Sequence, residues 1–153
     1  MLGSGDIAPM QMSDLNQVLL TLHFLGLAMG FSASIANLVM GGLIAMAAPT
    51  ERAVLSRFPP AMSRVGRIGL TVLWVTGLTL VFTKWAGFGT LPWQFHLKVT
   101  VVVLLTITVG YAYRQERLIR QGDLAAARRI PIAGRIAMSL AVAAVVLAVV
   151  TFN

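Results

Sequence analysis

Pro92-Trp93-Gln94-Phe95-His96-Leu97-Lys98 runs directly into Val99-Thr-Val-Val-Val-Leu-Leu-Thr-Ile-Thr-Val109. The second part is apolar without interruption, which makes the first part the entry to a membrane-spanning helix. Ionisable side chains at membrane depth are costly and therefore mark functional candidates. His96 and Lys98 are two such groups. The chain has 2 histidines, and the other, His23, also lies inside a long apolar run.

The composition agrees with a membrane solvent. Of 153 residues, 58% are hydrophobic and only 11% are charged. A soluble domain carries roughly 25% charged residues, so this chain cannot coat a globule in charge. There is no cysteine, which excludes disulfides, thiolate metal sites, iron–sulfur clusters and cysteine nucleophiles together. The net charge of +7 would point to nucleic acid in a soluble protein. Its distribution here is explained by membrane orientation instead, and no nucleic-acid partner is expected. Met1–Gln17 carries Asp6 and Asp14 but no Lys or Arg. That is unlike a secretory signal, so the segment is expected to stay on the mature protein.

A spanning helix needs roughly 20 apolar residues. The chain offers spans at 17–47, 66–85, 92–113 and 134–152, and no internal repeat or second domain. The fold class expected is all-α, a single integral-membrane four-helix bundle. The connection after span one holds Arg52, Arg57, Arg64 and Arg67, and the one after span three holds Arg114, Arg117, Arg120, Arg128, Arg129 and Arg135. The connection between spans two and three carries only Lys84. The positive-inside rule then puts both arginine-rich loops in the cytoplasm and both termini on the outer, periplasmic side of a bacterial inner membrane. Trp85 and Trp93 bracket the short outer hairpin where an aromatic belt belongs. Within 115–134, Gly122-Asp123 offers a break, and Leu124-Ala-Ala-Ala-Arg-Arg is a good helix former. The arginines there serve topology first, with anionic membrane lipid or a cytosolic partner as the functional reading.

Spans one and three run in the same direction. His96 lies about five residues past Leu91, or roughly 7 Å in, and His23 about eight past Leu15, or roughly 12 Å. The two depths are equivalent within the uncertainty of a helix start, and both fall in the outer half of the bilayer. Gly26, Gly30, Ser34, Asn37 and Gly41 all lie within about 60° of the His23 face. Small residues there have two readings: close helix packing, or a slot for a flat macrocycle whose metal the histidine binds. Gly69, Thr76 and Thr83, with Gly77 beside them, form a similar strip on span two and read as packing surface. Asn37 reads as an interhelical hydrogen bond. His96 and Lys98 are about 200° apart on their helix, so if one points inward the other points away. Lys98 could snorkel to the headgroups or pair with an anionic group such as a porphyrin propionate. Trp93 and Thr100 share the His96 side and could flank a bound ring.

A neutral imidazole is a good axial ligand for haem iron, and four-helix bundles build cofactor sites from side chains on facing helices. His23 and His96 at equal depth would therefore hold a haem b (protohaem IX) between spans one and three. Zinc would want further ligands. Copper could use His with Met, but the 8 methionines do not cluster with the histidines. The alternative is that the histidines only bridge helices.

Leu22-His23 near the outer end of span one, Val75-Thr-Gly77-Leu78 in span two, and above all Trp93-Gln-Phe-His96-Leu-Lys98-Val99 resemble the HemJ-type membrane proteins, four-helix haem proteins related to CopD-like domains. The resemblance implies His23 as an axial haem ligand, His96 as a second ligand or a close neighbour of the iron, and Lys98 as a catalytic residue. It implies protoporphyrinogen IX oxidation, or electron transfer through haem to a quinone-like acceptor. Where that family carries a further histidine late in span three, this chain has Tyr111 and Tyr113. Where the family carries a basic residue late in span one, this chain has Met40-Gly-Gly. The site expected is thus metal-binding His23 and His96, with Gly26, Gly30, Trp93 and Thr100 around the ring. The partners expected are membrane lipid, a tetrapyrrole or quinone-like redox molecule, and a second copy in a homodimer. A CopD-like copper-handling protein and a cofactor-free structural or assembly subunit are the competing readings.

Overall fold

The computed structural model describes residues 12–85, 89 and 92–152. Residues 1–11 and nearly all of the hairpin at 86–91 lie outside the described residues, as does the side chain of Trp85. The N-terminal segment expected to stay on the mature protein falls largely on these positions, as does half of the expected aromatic belt. Among the described residues helix is the only regular secondary structure, with no strand. Four helices are long and apolar enough to cross a membrane, which marks a multi-pass membrane protein.

Helix α1 is Met12–Met46, with Asp14 in its first turn, where a carboxylate suits the positive end of the helix dipole. The last carbonyls of a helix lack partners within it. Here Arg52 supplies them: its Nε donates to the Ala47 carbonyl at 2.9 Å and its Nη2 to that of Ala45 at 3.2 Å. Arg52 sits on the short helix α2, Pro49–Leu55, which opens with a proline whose missing N–H costs nothing at that position. The Glu51 carboxylate accepts from the Ala48 backbone at 3.2 Å and closes the start of α2.

Helix α3 is Phe58–Trp85. It takes up Pro59 and Pro60 in its first turn, where proline is tolerated. Helix α4 is Trp93–Arg120. It continues beyond Tyr113 because Arg114-Gln-Glu-Arg117 are good helix formers in water as well. The chain turns at Gly122, whose φ of +98° is costly for any residue with a Cβ. The Asp123 side chain then accepts from Ala125 N at 2.9 Å and caps a short 3-10 helix, Leu124–Arg129. The break and the helical segment both fall where the sequence places them. Helix α5, Ile130–Phe152, follows without a gap.

Helices α1 and α3 are antiparallel and form the closest pair in the molecule. Their contacts recur every seven residues. Thr83 Oγ1 donates to Asn16 Oδ1 at 2.8 Å, and His23 meets Thr76 at 2.9 Å. A Cβ built on Gly69 would fall 2.9 Å from Gly30 N and 2.6 Å from the Gly26 carbonyl. One on Gly66 would fall 3.3 Å from Ala33 Cβ, and Asn37 Nδ2 reaches Ser63 Oγ at 3.5 Å. This is a heptad seam with small residues at its centre, the geometry that lets backbones approach where lipid removes the hydrophobic drive between helices.

Helix α5 packs on α4 and also meets α1, using the buried alanines Ala133, Ala141 and Ala144. The bundle is thus ordered α3, α1, α5, α4, with α1 and α4 at opposite corners. The ring closes between α4 and α3 through side chains rather than close backbones. Phe95 packs on Val81, with Val99 against them, and Trp74 Nε1 donates to Thr106 Oγ1 at 2.9 Å. Most of the apolar surface faces outward, as Phe24, Leu38, Val103 and Val149 show.

Candidate functional site

His23 is half-buried on the α3 side of α1. Its Nδ1 lies 2.9 Å from Thr76 Oγ1, and Thr76 is only 3% exposed. The Thr76 hydroxyl carries one proton, and the Val72 carbonyl lies 2.7 Å from Oγ1, the usual place for it in a helix. The hydroxyl then accepts from Nδ1–H, and the tautomer follows: Nε2 keeps its lone pair. The ring is also fixed in position, since a Cβ on Gly77 would fall 3.2 Å from His23 Cε1. Glycine at 77 leaves the space in which the imidazole sits.

Lys98, not His96, is the ionisable side chain of this stretch that α4 turns toward the bundle. Its side chain is half-buried, on the inward-facing side of α4. The rotation of α4 decides this. Phe95 takes the buried position at the start of the helix. Lys98 lies about 60° from Phe95 around the axis, and His96 about 100° on the other side. His96 is therefore exposed on the outer surface of the bundle, edge-on to the Phe95 ring at 6.3 Å between centroids. Trp93, 69% exposed, and Thr100 share that outward face. The Thr100 hydroxyl donates to the His96 carbonyl at 3.0 Å within the helix. Among the described residues no contact links the two imidazoles.

The slot of small residues below His23 is divided. At Gly26 a Cβ would fall 2.8 Å from the Gly69 carbonyl, so α3 occupies the space there. At Gly30 a Cβ would meet nothing within 4 Å. The Ser34 hydroxyl donates back to the Gly30 carbonyl at 2.9 Å. Among the described residues there is no group of three or more His, Cys, Asp or Glu side chains able to hold a metal.

Thr76 is the partner of His23 that sequence reasoning missed. It was visible only as one step of a packing strip, and its pairing with His23 depends on the α1–α3 register. A second cluster went unread at the opposite, arginine-rich end. Ser63 Oγ donates to Glu116 Oε1 at 2.6 Å, and Arg67 Nη1 lies 3.6 Å from Oε2 of the same carboxylate. The Arg67 guanidinium stacks over the Tyr113 ring at 4.5 Å. Glu116 carried no signal in the sequence beyond being an acid among arginines. Comparison with protein-family models, characterised proteins and solved structures finds no match to this chain.

Proposed function

We propose that this protein is a haem b-binding redox protein of a bacterial inner membrane, in which His23 would hold the haem iron. The observation that supports this reading most directly is the 2.9 Å approach of His23 Nδ1 to Thr76 Oγ1, whose hydroxyl proton is directed to the Val72 carbonyl. A ligating histidine ordinarily donates its other ring N–H to a fixed oxygen, which sets the tautomer and the ring orientation. His23 has that partner, and its Nε2 lone pair is the atom suited to iron. Lys98 would offer a cation to a propionate. The haem would supply reversible one-electron transfer; the chain's part is to hold the ring, set its charge environment and exclude water. His96, Trp93 and Thr100 face outward, so within this proposal they reach the group only from a neighbouring copy. The HemJ resemblance makes protoporphyrinogen IX the first substrate to test and a quinone the first acceptor. The arginine distribution supports a cytoplasmic α2 and 3-10 segment, with both termini outside.

A cofactor-free structural role is the second reading, favoured by the tight fit of the His23 ring over Gly77. Absorption spectra of the purified chain, oxidised and dithionite-reduced, separate the two. The expected result is a Soret band that is lost in His23→Ala and shifted or weakened in Thr76→Val. Colourless protein from haem-sufficient cells overturns the haem reading and leaves the interhelical bridge.

A further inference from the structure

Toward the arginine-rich end, α4, α5 and the 3-10 segment border a groove of about 390 Å³, lined by Ile107, Thr108, Tyr111, Arg129, Ile132, Ala133 and Ile136. We propose that this groove binds an anionic glycerophospholipid, with an acyl chain along the isoleucines and the phosphate on Arg129. This inference does not depend on the haem reading.

The polarity of the groove runs along the helix axes. Helix α5 begins at Ile130 and runs antiparallel to α4, so Arg129, just before its first residue, and Tyr111, one turn beyond Ile107, both lie toward the arginine-rich end of the groove. Ile107 lies one turn deeper on α4, and Ile132 and Ile136 lie progressively deeper on α5. The deep part is apolar except for Thr108, whose hydroxyl is already spent on the Leu104 carbonyl at 2.8 Å. The shallow part carries a guanidinium and a phenol, groups suited to a membrane–water interface. An occupant must therefore be amphiphilic, with its polar end toward Arg129.

The sign of that polar end follows from the charges around it. Among the described residues neither Arg129 nor the Tyr111 hydroxyl has a hydrogen bond or ion pair. The nearby sequence adds Arg114, Arg117, Arg120, Arg128 and Arg135, against Glu116 and Asp123. Glu116 is engaged by Ser63 and Arg67, and Asp123 by the Ala125 amide. Arginines far outnumber carboxylates in this part of the chain, so the groove's polar end sits in a positive field, and a guanidinium matches phosphate in a bidentate fork. A net anionic headgroup such as phosphatidylglycerol fits, and phosphatidylcholine does not.

The test is lipid titration of the detergent-purified full chain, read by native mass spectrometry, with phosphatidylglycerol and phosphatidylcholine as probes. Phosphatidylglycerol is expected to bind the native chain more tightly than phosphatidylcholine. Arg129→Gln should weaken it about fivefold, the scale of one arginine at an anionic surface. Arg128→Gln, outside the groove, should weaken it less. Ile107→Trp, which fills the groove from an exposed position, should also weaken it. Equal binding of the two lipids overturns the proposal. So does native-like affinity in Arg129→Gln. If Ile107→Trp binds like the native chain while both arginine variants are weakened alike, the lipid rests on a diffuse basic surface and the groove is not its site.

Discussion

Gly69 and Gly30 differ in what surrounds them, although both are glycines on small-residue helix faces. A methyl on Gly69 would be driven into the backbone of α1, at the Gly26 carbonyl and the Gly30 nitrogen. Backbone cannot move aside as a flexible side chain can. Gly69→Ala is therefore expected to destabilise the bundle by about 1–3 kcal/mol, the range for overpacking. Gly30→Ala should be neutral or stabilise by up to ~1 kcal/mol, because alanine costs less backbone entropy in a helix. Thermal unfolding in detergent checks both. Equal effects would mean that the helices do not cross at Gly26 and Gly69. The same contrast bears on the candidate site. The sequence placed small residues beneath His23 but could not say which of them face α3 and which face open space. That depends on a neighbour about forty residues away in the chain.

At the scale of elements, α1 and α3 are held by a continuous seam, whereas α3 and α4 meet through particular side chains. The latter link is the one that few substitutions can loosen. At its arginine-rich end Glu116 makes two unequal contacts, a 2.6 Å bond from Ser63 and a 3.6 Å ion pair with Arg67. A hydrogen bond to a charged group contributes roughly 1.5–3 kcal/mol, and a partly exposed ion pair under about 1 kcal/mol. Double-mutant cycles on unfolding should therefore give a larger coupling for Ser63→Ala with Glu116→Ala than for Arg67→Ala with Glu116→Ala. The reverse order would assign the link to charge rather than to the short bond. The segment 115–129 shows how far element structure was legible. Gly122-Asp123 announced its own break, because positive φ and an aspartate cap are local chemistry. The pairing of Glu116 with α3 was not local and left no trace in the residues around it.

For the whole molecule, the strongest sequence signal is the arginine asymmetry, and its consequence is directly testable. The chain has no cysteine, so single cysteines can be placed without background. A membrane-impermeant maleimide on intact cells is expected to label Gly89→Cys, in the hairpin between α3 and α4. It should label Arg128→Cys only after the membrane is opened. The opposite pattern would invert the proposed orientation. The sequence by itself determined that the chain forms four apolar helices, where α4 and α5 are separated, and which ends carry the charge. These follow from transfer energies and backbone preferences that each residue contributes independently of distant neighbours. Only the tertiary structure decided that His96 looks outward while Lys98 is half-buried, and that Thr76 is the oxygen beside the imidazole. The reason is physical. Lipid and bundle interior are almost equally apolar, so a spanning helix shows little periodicity to reveal which side faces its neighbours. Its rotation is set by how glycines, alanines and Phe95 interlock with the other helices, and that information exists only once the helices are packed.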